Sequence, residues 1–141
     1  MANILLVDDQ RFMGEFLAEE LADMGHTLKW IGDGDSLLLE LEEANPDLVL
    51  LDLYMNGFEG WSFLDQIKRH NHWIPVIILT AYDSFSDDPR LSRTQGYVIK
   101  DFVTDKLREK ITEVLESSRL RGSEKPGETD PDPGSGNRPA P

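Results

Sequence analysis

Five short apolar runs recur along the chain, Asn3–Val7, Thr27–Ile31, Val49–Leu51, Pro75–Leu79 and Tyr97–Ile99, each separated from the next by helix-patterned sequence. Most lack the polar alternation of a half-exposed strand, which is the signature of strands covered on both faces. Between the first two, Phe12, Met13, Phe16, Leu17, Leu21 and Met24 recur at three- and four-residue steps, predicting a helix over Arg11–Met24 that Gly25 ends. Ser36–Ala44 is a leucine-rich helix closed by Asn45-Pro46, and Trp61, Phe63, Leu64 and Ile67 mark a third helix running to about Arg69. Asp88-Pro89 offers an N-cap and first-turn proline for a short helix, and Thr104 can cap a last one whose buried face is Leu107, Ile111, Val114 and Leu115.

Strands alternating with helices predict an α/β domain with a parallel sheet, helices on both faces and right-handed crossovers. The expected architecture is flavodoxin-like and doubly wound, five strands in the order 2-1-3-4-5, with the fourth helix shortened to about two turns. Ligands of such sheets bind beyond the carboxyl ends of the strands, where the strand order reverses.

Polar residues stand at four such ends: Asp8-Asp9 after the first strand, Asp52 after the third, Thr80 after the fourth and Lys100 after the fifth. If the first and third strands are neighbours, about 4.8 Å apart, three carboxylates converge and repel one another unless a cation joins them. Hard oxygen ligands of this kind suit Mg²⁺, which keeps waters and takes phosphate oxygens. Asp52 is then placed as a nucleophile able to form an acyl-phosphate, with Lys100 supplying positive charge and Thr80 a hydroxyl for a phosphoryl oxygen.

The motifs V-D-D at 7–9, L-L-D-L-Y-M-N-G-F-E-G at 50–60, I-L-T-A at 78–81 and G-Y-V-I-K at 96–100 together resemble the receiver domain of two-component response regulators over residues 3–116. The resemblance implies that Asp52 is the phosphoacceptor, that Asp9, Asp52 and the main-chain oxygen of Tyr54 bind Mg²⁺ directly, and that Asp8 acts through a metal-bound water. It also implies that Thr80 and Tyr97 form the pair that switches on phosphorylation. The implied donor is a histidine kinase or a histidine phosphotransfer protein, and such a domain is no enzyme beyond its own phosphorylation and dephosphorylation. Three departures stand out: Asn56 where the family usually has proline, Asp101 where it usually has proline after the lysine, and the short segment between Thr80 and Gly96. Tyr54 and Tyr82, each two positions beyond a site residue, are bulky enough to hinder an attacking water.

The remaining composition bounds the alternatives. A formal net charge of -13 disfavours direct binding to nucleic acid or an anionic membrane, and the absence of cysteine excludes disulfides and thiolate chemistry. The four apolar residues before Asp8 are too few for a signal peptide or a span, so a cytoplasmic location is expected. Residues 117–141 are rich in Pro, Gly, Ser and Glu and are expected to be a disordered tail or a linker, which sets the domain at 1–116. Their charges cancel, so the whole negative balance falls on the domain. Output then belongs to a downstream partner protein or to a C-terminal domain of a longer regulator, with a monomer or a phosphorylation-dependent dimer both open. Two rival readings are a pseudo-receiver that only binds partners and a haloacid-dehalogenase-like phosphotransferase. The second wants another acid two residues beyond Asp52, where this chain has Tyr54.

Overall fold

The computed structural model describes residues 1–55, 58–81, 86–100 and 104–122. Asn56, Tyr82, Asp101 and the segment from residue 123 onward lie outside them, as does the Lys100–Asp101 bond.

Five parallel strands form the main sheet: β1 (Asn3–Val7), β2 (Thr27–Ile31), β3 (Leu48–Leu51), β6 (Val76–Thr80) and β7 (Gly96–Ile99). Two further short strands, β4 (Tyr54–Met55) and β5 (Phe58–Glu59), pair antiparallel just after β3. The large sheet runs β2-β1-β3-β6-β7, which is 2-1-3-4-5 when its own strands are counted in chain order. The small ladder was not anticipated, because strands of two residues carry no periodicity to read.

Strand side chains alternate between two cores. Leu5, Val7, Val49, Leu51, Val76 and Ile78 pack with α2 (Leu37–Ala44) and α3 (Trp61–His70). Ile4, Leu6, Leu48, Leu50, Ile77 and Leu79 pack with α1 (Arg11–Asp23) and α4 (Thr104–Gly122). Burial on both faces is why these strands are apolar without interruption.

The first two helices end where their sequence says. Gly25 follows α1 with φ of 87°, and Asn45 closes α2 in the left-handed region at φ of 45°. The face of α1 differs from expectation: Gly14, Leu17 and Leu21 are its buried residues, whereas Phe12 and Phe16 are 63% and 44% exposed. Six apolar positions span a wider arc than the sheet can cover, and the two phenylalanines lie outside it.

In place of a full fourth helix, residues Pro89–Arg93 make a 3-10 turn. Asp88 caps it, accepting from Arg90 N, and the Arg90 guanidinium and N–H together hold that carboxyl down to about 2. Arg90 also stacks 4.1 Å over the Trp61 ring, and Arg93 pairs with Asp65 at 2.8 Å, so the turn is fastened to α3. At the other end of the chain, α4 buries Leu107, Ile111 and Val114, with Leu115 half-covered, and continues to Gly122. The boundary expected after residue 116 therefore falls inside a helix.

Candidate phosphoacceptor and metal site

Register sets the site. Val7 lies opposite Leu51, so the residues that follow, Asp8 and Asp52, emerge side by side as the two strands end. Asp8 N donates to Ile31 O at 3.1 Å and Asp52 N to Val7 O at 2.9 Å, which carries the hydrogen-bond ladder up to both acids. On the other side of β3, Thr80 pairs with Ile99 and Lys100 N donates to Thr80 O at 2.7 Å. The acids thus stand between β1 and β3, where the chain order reverses, as open α/β sheets place their ligands.

Asp8, Asp52 and Thr80 are the buried polar residues of the described chain, with Asp9 nearer solvent. Carboxylate oxygens of Asp8, Asp9 and Asp52 all lie within 4.8 Å of one another. Lys100 reaches into this cluster with its side chain 5% exposed: Nζ is 2.7 Å from Asp8 Oδ2, 3.2 Å from Asp52 Oδ2 and 3.0 Å from Gln10 Oε1. Three carboxylates against one ammonium leave two negative charges uncompensated when all are ionised. Burial pushes the Asp52 carboxyl up from its ordinary range. The Tyr54 N–H, which donates to Asp52 Oδ1 at 3.1 Å, and the Lys100 charge pull the other way, while Asp8 reinforces the rise.

The donor set fits a divalent cation. It consists of hard oxygens with a deficit of two positive charges. The contact of Lys100 with Asp8 Oδ2 is an ion pair without hydrogen-bond geometry, which leaves that buried oxygen with acceptor capacity to spare.

Of the residues singled out in the sequence, Asp8, Asp9, Asp52, Thr80 and Lys100 are found together at this end of the sheet. Tyr54 follows Asp52 on β4 and is 43% exposed; Tyr97 sits on β7, half-buried against the core shared with α2 and α3. Two residues escaped sequence reasoning. Gln10 contacts Lys100, and Trp30 on β2 donates its indole N–H to Asp8 O at 2.7 Å. Neither residue type signals such a role by itself.

A parallel sheet that gathers three acids, a buried lysine and a hydroxyl beyond its strand ends has the architecture of a receiver domain. The response regulator receiver domain model matches residues 4–112, and the chain belongs to that family. It is 35% identical over 117 residues to the heme response regulator HssR of Staphylococcus epidermidis, covering 82% of this chain and 52% of the relative. It is 32% identical over 127 residues to the transcriptional activator protein IrlR of Burkholderia pseudomallei, covering 85% and 53%. The chain therefore spans about half the length of these curated relatives. Among solved structures it is similar to the response regulator TrrA of Thermotoga maritima in complex with Mg²⁺-BeF, with TM-score 0.74 and 34% identity over 80% of this chain and 98% of that one. TrrA has also been solved bound to the histidine kinase ThkA. The chain is thus a receiver domain of two-component signal transduction.

Proposed function

We propose that Asp52 accepts a phosphoryl group from a phosphohistidine of a histidine kinase or phosphotransfer protein, in a Mg²⁺-dependent reaction, and that the resulting acyl-phosphate switches the domain. The observation that carries this reading is the Lys100 ammonium, buried within 3.2 Å of both Asp8 and Asp52 carboxylates at the mouth of a three-acid cluster. The complexes of TrrA with Mg²⁺-BeF and with its kinase support it.

In the transfer, a carboxylate oxygen of Asp52 forms a bond to phosphorus as the N–P bond of the donor breaks, and that bond's electrons return to the imidazole. Lys100 stabilises negative charge on the transferred group, and the Tyr54 N–H holds the Asp52 carboxylate in place. Asp9, Asp52 and the Tyr54 carbonyl would hold Mg²⁺, with Asp8 acting through a water; the metal supplies neutralisation of the phosphoryl oxygens. Once Asp52 carries the group, the Thr80 hydroxyl is drawn to it and the Tyr97 ring turns further inward, biasing an existing equilibrium. The domain acts catalytically only on itself, in the cytoplasm, and passes the signal to a partner protein or to an output domain. Its folded unit runs to the end of α4, with the remainder a linker or tail.

The test is incubation with a small-molecule phosphodonor with and without Mg²⁺. Wild type should gain one phosphoryl group only with the metal, Asp52→Asn none, and Lys100→Ala should react on the order of 10²-fold more slowly. Equal labelling of Asp52→Asn and wild type would place the acceptor elsewhere.

A further inference from the structure

Trp30 occupies a slot cut for it. A Cβ at Gly14 on α1 would lie 2.7 Å from Trp30 Cγ, and one at Gly32 would lie 2.9 Å from Cζ2, at opposite ends of the indole. Gly14 is buried within a helix, where glycine costs about 1 kcal/mol relative to alanine, so its lack of a side chain serves the indole and not the helix. Held between these two points, the ring presents its N–H to Asp8 O at 2.7 Å.

That oxygen belongs to the peptide unit joining Asp8 to Asp9. Because a peptide is planar, fixing its oxygen fixes the plane from which both residues depart. Asp8 is restrained on its other side too: its N–H donates to Ile31 O, and its Oδ1 accepts from Gln10 N at 2.8 Å. The edge strand β2 therefore grips the Asp8 main chain through Ile31 and Trp30 together.

We infer that Trp30 is a positioning residue for the acidic cluster: its indole sets the Asp8–Asp9 peptide plane and thereby the affinity of the site for Mg²⁺. The inference rests on the Mg²⁺ site proposed above. Partners that orient metal ligands without touching the metal commonly tune affinity about 10-fold to 100-fold.

Two variants perturb the contact in different ways. Trp30→Phe keeps a ring in the slot and removes the donor. Gly14→Ala keeps the donor, pushes it aside, and favours the helix. Mg²⁺ affinity by calorimetry should fall about tenfold in each, and the double variant should show little further loss, as expected for two changes acting on one contact. In wild type without metal, the Trp30 indole proton seen by NMR, assigned with Trp61→Phe and Trp73→Phe, should exchange slowly with solvent. It should shift on adding Mg²⁺ with the midpoint found by calorimetry. If wild type binds Mg²⁺ and both variants bind it equally well, the inference is overturned while the proposed function stands. If wild type itself binds no Mg²⁺, that proposed function fails and this inference with it. Should Trp30→Phe not fold, Gly14→Ala and the wild-type indole decide: a proton that exchanges freely and ignores Mg²⁺ overturns the idea.

Discussion

His26 closes the pole of the sheet opposite the acids: its Nδ1 accepts from Ala2 N at 3.1 Å, tying the turn after α1 to the start of β1. Partial burial lowers its pKa, the N-terminal ammonium adds to this, and Asp47 opposes it. A histidine whose folded pKa is depressed contributes stability that is complete above the unfolded value of about 6.5. That contribution is lost as pH falls from there through the folded pKa, because the unfolded chain takes the proton more readily. Urea unfolding should therefore show stability declining between pH 7 and pH 5, with a shallower decline in His26→Gln, which can still accept from Ala2. Parallel curves for the two proteins would remove His26 from the account. The same residue shows the limit of reading side chains one at a time. His70 and His72 are exposed, but His26 is half-buried with a main-chain donor, which nothing in its neighbours along the chain announces. Asp52, Thr80 and Lys100 were legible because a polar residue at the end of an apolar strand has few structural uses. Trp30 was not, since an aromatic residue in a strand ordinarily reads as core. The two glycines flanking it in space, Gly14 and Gly32, are far apart in sequence and show their purpose only once folded.

Among the elements, the five strands of the main sheet were recovered to within about a residue at each end: burial on both faces keeps β1, β3 and β6 apolar almost throughout, while the edge strand β2 alternates, with Thr27 and Lys29 exposed. Helix faces were less legible: three- and four-residue spacing placed Phe12 and Phe16 with Leu17 and Leu21, yet the sheet covers only the stripe centred on Gly14, Leu17 and Leu21. The reach of α4 to Gly122 was hidden by composition, since the residues after Leu115 are mostly polar while the backbone keeps its helical bonds. What anchors that helix is its inner stripe against β7 and the α1-side core, together with the ion pair of Arg108 to Glu20 on α1 at 2.8 Å. The pair is partly exposed and contributes little. Ile111, fully buried, carries more: Ile111→Ala should cost about 2–5 kcal/mol in urea unfolding. Arg108→Ala should cost less than about 1 kcal/mol. A reversal of that order would mean that the helix is held by charge and not by its apolar face.

For the molecule as a whole, electrostatic load and ligand binding become one quantity. The chain carries a formal net charge of -13, and at the site three acids face one lysine. Folding brings those acids together and so works against their repulsion; a cation bound only by the folded form offsets it. By linkage, Mg²⁺ at a hundred times its dissociation constant stabilises by about 2.7 kcal/mol. In a domain of this size that raises the melting temperature by roughly 10 °C. Asp52→Asn removes one of the crowded charges and one of the proposed ligands, so its two effects oppose. Without metal the variant should melt higher than wild type, by roughly 4 °C if the relief amounts to about 1 kcal/mol. With Mg²⁺ most of the wild-type increment should vanish, and the order of the two proteins should invert. A sodium salt at equal ionic strength provides the control, because it screens exposed charges separated by more than about 10 Å, acts much less on a buried site, and so does not discriminate between the two proteins there. Equal Mg²⁺ increments in both would show that the cation acts on the acidic surface at large, and the three-acid cluster would lose its claim to be the place where charge, metal and phosphoryl group meet.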